Sequence, residues 1–325
     1  MADLQAMSRV TLFGSGNKAG VNFDPARDIP SLAEKVILVT GGAGDLGKQV
    51  AIELARHNPR RIYIADLPKS DDAIKALNDA IRQESGNSDL PLTYLAIDLA
   101  SFDSIQKVAA KFKETEDRLD ICVLNAGIMR VASGVTKDGY EITFGINYLG
   151  HALFTKLLMP TMLHTATLEG ADVRVVVVSS EGHAMAPKGG ILFDKLKGPC
   201  EDVKYFARYG QSKIACICLA RELAREYPQI TTAAVHPGRI ITGMAHGLRK
   251  ESWLFKITTP LSPLFCVPVA VGVRNHLWAA TAKDVVSGKY YEPVGIPDKE
   301  SPVGKDTELS RKLWEWTSNE LKGRV

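Results

Sequence analysis

Residues Lys35–Lys48 read KVILVTGGAGDLGK. An apolar, β-branched run gives way to a turn with Gly41, Gly44 and Gly47 three apart, and then to an apolar-periodic stretch, GKQVAIELARH. A run without polar alternation suits a strand buried on both faces. A glycine-rich strand-to-helix turn lets backbone amides, including those of Asp45 and Leu46, approach a pyrophosphate, whose charge the helix N-terminus favours. Glycines also make ordinary tight turns, so such a loop alone is a weak signal. Its place between a strand and an amphipathic helix makes it strong.

The same alternation extends outward. Strand-like runs begin at Arg61 (RIYIAD), Thr93 (TYLAID), Asp120 (DICVLN), Val173 (VRVVVVSS), Thr231 (TTAAVH) and Gly288 (GKYYEP), with helical patterns such as KIACICLARELARE between them. Strand-helix alternation predicts an α/β fold, a single doubly wound parallel sheet with helices on both faces, over residues 32–325. Residues 1–31 are rich in Gly, Asp, Pro and Asn and read as a flexible or surface-draped leader. Neither a repeat nor a linker divides the rest.

Composition narrows the function. With 45% hydrophobic and 24% charged residues the chain reads as globular, and 40 basic against 37 acidic residues give a net charge of +3 without a basic stripe. That argues against nucleic acid or an anionic membrane as partner and leaves a small molecule. Five cysteines (Cys122, Cys200, Cys216, Cys218 and Cys266) are scattered and odd in number, which suits a reducing compartment rather than a disulfide framework. The N-terminal stretch lacks an apolar signal core, and KGRV is no peroxisomal address. The most apolar tract, Trp253–Val273, is broken by Lys256, Pro260, Pro263 and Pro268, short of the roughly 20 uninterrupted residues a membrane helix needs. Cytoplasmic location is the expectation.

About 20 residues beyond a phosphate loop a dinucleotide site needs a group that reads the adenosine ribose. Asp66 ends the second strand at that distance. A carboxylate accepts from both ribose hydroxyls and repels a 2′-phosphate, so NAD(H) is favoured; Lys69, Arg60 and Arg61 keep NADP(H) open. The plain alternative is a turn-forming Asp before Leu67 and Pro68. Asp98 with Leu99 ends the third strand, where a carboxylate and an amide could meet adenine, or where Asp simply caps. Asn125, Ala126 and Gly127 end the fourth, small enough to admit a cofactor.

Tyr209 and Lys213 lie four apart in YGQSK, neighbours on one helix face. An ammonium beside a phenol favours the phenolate and makes the phenol a usable general acid/base. As an isolated spacing the pair means little. The fifth strand adds Ser179 and Ser180 at the carboxyl edge of the sheet, where a hydroxyl could hold a substrate oxygen or cap a turn. Asn147, mid-helix in FGINYLGH, could hold a water linked to Lys213 or face solvent. HPGRIIT places Pro237 and Gly238 in a turn and Ile240 and Thr242 where they could meet the nicotinamide. No metal site is read.

In this order along the strands these residues resemble the short-chain dehydrogenase/reductase family, a Rossmann fold, in the branch of retinol dehydrogenases and related fungal enzymes. The resemblance rests on Thr40 with the glycine loop, LNAG at Leu124–Gly127, Asn147, the Ser179–Ser180 pair, YGQSK and PGRIIT. It runs from about Asp28 to the end, where GKYYEPVG and RKLWEWTSNEL resemble the fungal members. It implies a tetrad of Asn147, Ser180, Tyr209 and Lys213, Ser180 being the second of its pair, and a homodimer. The implied reaction is NAD(P)(H)-dependent interconversion of a primary or secondary alcohol and its aldehyde or ketone on an apolar molecule, with fungal secondary metabolism as a setting.

Departures from the family pattern are Asp45 in place of a glycine, expected to point away from the pyrophosphate and cap the helix, and Leu124, expected to pack beneath the cofactor. A long stretch between Ser180 and Tyr209 predicts an insertion at about 181–207, with a second at about 243–268. Candidate substrate walls are His183, Met185, Ile191 and Phe193, and Met244, Trp253, Leu254, Phe255 and Phe265; ordinary core is the equal alternative. Two rivals stand beside this reading. A nucleotide-sugar epimerase or dehydratase shares the glycine spacing but needs a sugar domain that the short tail after Lys213 lacks. A non-catalytic NAD-binding protein would not need all four tetrad positions filled.

Overall fold

The computed structural model describes residues 20–129, 131–240 and 267–325. All seven strand-like runs pair in one sheet: β1 Val36–Thr40, β2 Arg61–Asp66, β3 Leu92–Ala96, β4 Ile121–Leu124, β5 Arg174–Val178, β6 Thr231–Val235 and β7 Tyr290–Tyr291. Their order is β3-β2-β1-β4-β5-β6-β7, every pair parallel, with Ile37 opposite Ile62 on one side and Ile121 on the other. The order reverses between β1 and β4, the point at which open α/β sheets leave a crevice at their carboxyl ends.

Burial on both faces explains why β1 shows no polar alternation. Val36 and Leu38 enter one core with residues of α3 (Phe102–Thr115), α4 (Gly150–Thr165), α5 (Tyr205–Glu226) and α7 (Thr307–Glu320). Ile37 and Val39 enter the other with α1 (Asp45–Ala55), Ile81 of α2 (Asp71–Ser85) and α6 (Arg274–Thr281). Side-chain caps set helix starts: Ser70 accepts from Ala73 N–H ahead of α2, and Ser101 from Ser104 N–H ahead of α3, each satisfying an orphan amide.

The stretch read as a leader is docked from residue 20 onward. Val21 N–H donates to the Val294 carbonyl at 2.9 Å, Pro25–Asp28 forms a short helix, and Phe23, Ile29 and Leu32 are buried in the second core. Polar neighbours dilute those few apolar residues below any periodicity a sequence can display. Among the described residues no helix is long and apolar enough to cross a membrane.

Candidate active site

The glycine turn leaves the chain at the carboxyl end of β1. Gly41 adopts φ +62°, left-handed backbone that glycine enters without strain, and a Cβ there would stand 2.9 Å from Ala126 Cα. At Gly47 a Cβ would lie 2.2 Å from the Gly41 carbonyl oxygen, so the first turn of α1 can seat on the loop only if that residue has no side chain. Gly44 is the N-cap of α1 in extended conformation. Asp45 is therefore the first residue of the helix rather than its cap, acidic in the first turn, where the helix dipole favours it. Above this turn lies a cleft of about 420 Å³. Gly41, Gly44, Asp45, Leu46, Gly47, Asp66, Asp98, Leu99, Asn125, Ala126 and Gly127 all border it, so the whole nucleotide half of the expected site converges on one cavity.

Asp66 is held at the rim. One carboxylate oxygen accepts from Ala43 N–H at 2.9 Å and the other from Leu67 N–H at 2.8 Å. Of the basic residues that kept a second cofactor open, Arg60 and Arg61 face Glu116, at 3.4 and 3.9 Å, while Lys69 is exposed three residues after Asp66. Asp98 lies beyond the end of β3, accepts from Ala100 N–H at 2.9 Å and pairs with Lys137 at 2.9 Å. Its capping role is thus present together with its place on the cleft.

Beneath the cleft a buried chain of polar groups joins β1, β4 and α4. The Thr40 hydroxyl oxygen accepts from the amides of Asn125 and Ala126 at 2.9 and 3.0 Å and lies 2.8 Å from His151 Nε2. His151 Nδ1 lies 3.0 Å from the Asn147 carbonyl. A carbonyl only accepts, so Nδ1 carries the proton and Nε2 accepts from Thr40. Burial pushes the His151 pKa down to about 4, which keeps this tautomer neutral. Sequence reasoning missed His151; the GH of FGINYLGH held the only trace.

Asn147 belongs to a π-helical turn, Gly145–Leu149, that precedes α4. Its side chain neither faces solvent nor hangs free. Oδ1 accepts from Ile128 N–H at 2.7 Å, and Nδ2 donates to the Ile128 carbonyl at 2.9 Å and to Ser212 Oγ at 3.0 Å. The amide clamps the loop after β4 at Ile128, next to Gly127 of the cleft.

Ser180 and Tyr209 meet across Gly182. Ser180 caps the 3₁₀ turn Glu181–Met185 by accepting from Gly182 N–H at 3.0 Å, which leaves its own O–H to donate. A Cβ on Gly182 would lie 2.7 Å from the Tyr209 ring and 3.2 Å from Ser180 Oγ. Ser179 is buried and its hydroxyl donates to the Lys213 carbonyl at 2.8 Å, so of the serine pair it is the structural member. Lys213 is buried as well. Its Nζ donates to the Val178 carbonyl at 2.8 Å, lies 5.6 Å from the centroid of the Tyr209 ring, and stands 3.6 Å from where a Gly127 Cβ would be.

Across the site, Gly238 turns the chain with φ +87°, and Ile240 packs against Gly272 and bridges to Val267. Pro237, Gly238 and Ile240 thus follow β6 without bordering the nucleotide cleft, and Thr242 lies outside the described residues. Arg239, unremarked in the sequence, makes a two-pronged ion pair with Glu181 and so ties this turn to the residue after Ser180. Ligand atoms of Glu181, His236 and Glu292 come within 4.8 Å of one another, but Arg239 already supplies the positive charge there. Burial lowers the His236 pKa to about 3 and raises that of Glu292.

The expected insertion packs closely on α5. Gly210 lets it approach: a Cβ there would be 2.4 Å from Ala186 N. Of the candidate substrate walls, His183 and Ile191 are core. His183 Nδ1 donates to the Ser180 carbonyl at 2.7 Å and Nε2 accepts from Ser301 N–H at 2.9 Å, while Ile191 is 6% exposed. Met185 and Phe193 are half-buried. Met244, Trp253, Leu254, Phe255 and Phe265 lie outside the described residues.

The sheet order, the glycine-built cleft at its switch point and a tyrosine-lysine helix face beside it define a dinucleotide-binding α/β protein. A sequence profile of the short chain dehydrogenase family matches residues 35–193. The chain is 37% identical over 314 residues to the short-chain dehydrogenase/reductase drtF of Aspergillus calidoustus, spanning 91% of this chain and 96% of that one. It is 35% identical over 289 residues to retinol dehydrogenase 13 of Homo sapiens, spanning 86% and 82%. The fold is shared with an uncharacterized protein from Mycobacterium paratuberculosis, TM-score 0.69 at 24% identity over 92% of this chain and 97% of that one. A gluconate 5-dehydrogenase from Beutenbergia cavernae with bound NADP gives a TM-score of 0.60 at 21% identity over 80% and 95%. The chain belongs to the short-chain dehydrogenase/reductase family and is an NAD(P)-dependent oxidoreductase.

Proposed function

We propose that this enzyme interconverts a primary or secondary alcohol on an apolar small molecule and the matching aldehyde or ketone, using NAD(H). The observation that carries the reading is the junction of the two half-sites: Gly127, on the wall of the nucleotide cleft, adjoins the buried amine of Lys213, which in turn adjoins Tyr209. The cleft suits a dinucleotide, since its glycines leave no Cβ between backbone and ligand and α1 presents its N-terminus there.

The nicotinamide, when bound, supplies or accepts the hydride at the reacting carbon. Tyr209 handles the accompanying proton. In reduction its phenol gives the proton to the carbonyl oxygen as the carbon gains hydride; in oxidation its phenolate takes the hydroxyl proton as hydride leaves. Ser180, whose O–H is left to donate, holds the same oxygen. Lys213 stabilises the phenolate by its charge and offers its remaining N–H bonds to the cofactor ribose. Asn147 keeps Ile128, and with it the wall at Gly127, in place.

Asp66 supports NAD(H): its carboxylate is fixed at the rim by two amides, and a 2′-phosphate there would meet negative charge while Arg60 and Arg61 face Glu116. Following NADH absorbance across a panel of alcohols and carbonyls tests the reaction. Tyr209→Phe should lower turnover by about 10²- to 10⁴-fold while NADH still binds by fluorescence titration; retained turnover contradicts the scheme. A higher kcat/KM with NADP(H) than with NAD(H) contradicts the cofactor assignment.

A further inference from the structure

Immediately before Tyr209 in sequence, Arg208 is 4% exposed, and its partner Glu141 is 0% exposed. Arg208 is an interior cation. Arg208 Nη1 lies 3.2 Å from Glu141 Oε1, and Nη2 donates to the Val131 carbonyl at 2.9 Å. The Glu141 carboxylate also accepts from Thr143 N–H at 3.0 Å and Phe144 N–H at 2.7 Å, capping the turn Ile142–Phe144 that leads into Asn147. Glu141 N–H donates to the Leu196 carbonyl at 2.9 Å, in the insertion.

Stability alone is a poor account of this pair. Desolvating two charges is costly, and buried ion pairs are often no more stabilising than apolar residues of like volume. Arg208 Nε is moreover buried without a hydrogen-bond partner. What the pair does achieve is geometric. It joins the start of α5 one residue from Tyr209, the loop after β4 three residues from the Ile128 that Asn147 clamps, the turn carrying Asn147, and the insertion. A planar guanidinium that donates to two acceptors from two nitrogens fixes direction as well as distance, and small misplacements of reacting groups are expensive in rate.

We propose that the Glu141–Arg208 pair is the positioning device for Tyr209: it sets the tyrosine's place against the loop wall at Ile128. The inference rests on the reading of Tyr209 as proton carrier. Arg208→Lys keeps the charge but puts a single nitrogen in place of the two held in one plane that now reach Glu141 and Val131. Assayed with the most active compound of the alcohol and carbonyl panel, it should lose about tenfold to a hundredfold in kcat, with KM and the NADH dissociation constant unchanged within twofold. Wild-type kcat in this variant overturns the proposal.

The double variant Glu141→Gln with Arg208→Met removes both charges at similar volume. It should recover the Tm lost in Arg208→Met alone while kcat stays at least tenfold low. If kcat returns together with Tm, the pair is structural only and the proposal fails; if the double variant does not fold, Arg208→Lys decides. Tyr209→Phe run in parallel separates the two readings: activity there removes the premise, whereas an inactive Tyr209→Phe beside a fully active Arg208→Lys removes only this inference.

Discussion

From Gly41 to Asp98 the cleft is walled mainly by backbone and by side chains that brace their own turns, as Asp66 does for Ala43 and Leu67. The other half of the site, beneath and beside the cleft, is held by side chains that meet from distant parts of the chain: Asn147 with Ser212, Thr40 with His151, Arg208 with Glu141. The first half depends on where there is no side chain; the second depends on buried polar groups finding partners far away in the chain. A methyl group should therefore damage one and a proton or charge the other.

Gly47→Ala is the strongest test of that contrast. Its Cβ would stand 2.2 Å from the Gly41 oxygen and 2.7 Å from Gly42 Cα, so loop and helix must separate. NADH affinity should fall by about a hundredfold, and overpacking should cost about 1–3 kcal/mol of stability, read by fluorescence titration and thermal unfolding. Unchanged affinity would break the description of this half as backbone-built.

Acid should find the other half. Burial lowers the pKa of His151 and His276 from 6.5 to about 4 and of His236 to about 3. The folded state therefore binds fewer protons than the unfolded chain, and the stability these neutral rings allow is complete above 6.5 and lost as pH falls toward 4. Tm should decline across that window, and His151→Gln should make the decline shallower. A flat Tm would mean these rings are not held neutral.

The smallest effect is expected at Asp98. Its ion pair with Lys137 has a side chain 69% exposed on the lysine and 26% on the aspartate, and such surface pairs contribute about 0–1 kcal/mol. Lys137→Ala should leave Tm within a few degrees and NADH affinity within about twofold. A larger loss would make Lys137 part of the nucleotide wall.

The same contrast governs what could be read from the sequence. Glycine spacing, a strand-end acid and unalternated apolar strands are signals within one supersecondary unit, and all seven strands and most cleft-lining residues were visible in that way; Ala65, Ile97, Ile128 and Ile146, which also border the cleft, were not. Tyr209 and Lys213 were visible because one helix turn sets their spacing. Glu141 and Arg208 were not, since 67 positions separate them and a lone charge beside apolar residues reads as surface. Asn147 was found, but the grip of its side chain on Ile128 was not: a side chain that clamps a backbone amide leaves no pattern. Asp45 was mistaken for a cap because the extended backbone of Gly44, which ends the loop, is invisible in letters.

Gly182 and Gly210 let the insertion touch α5 without intervening Cβ atoms, and the contact is made where the segment leaves Ser180 and where α5 passes Tyr209. Between those two points, residues 187–203 contribute no hydrogen bond to Ser180, Tyr209 or Lys213. A segment of different length or polarity grafted there should redirect the choice of substrate while the proton-transfer groups stay where they are, so long as both glycines and the Leu196 carbonyl that accepts from Glu141 N–H are kept.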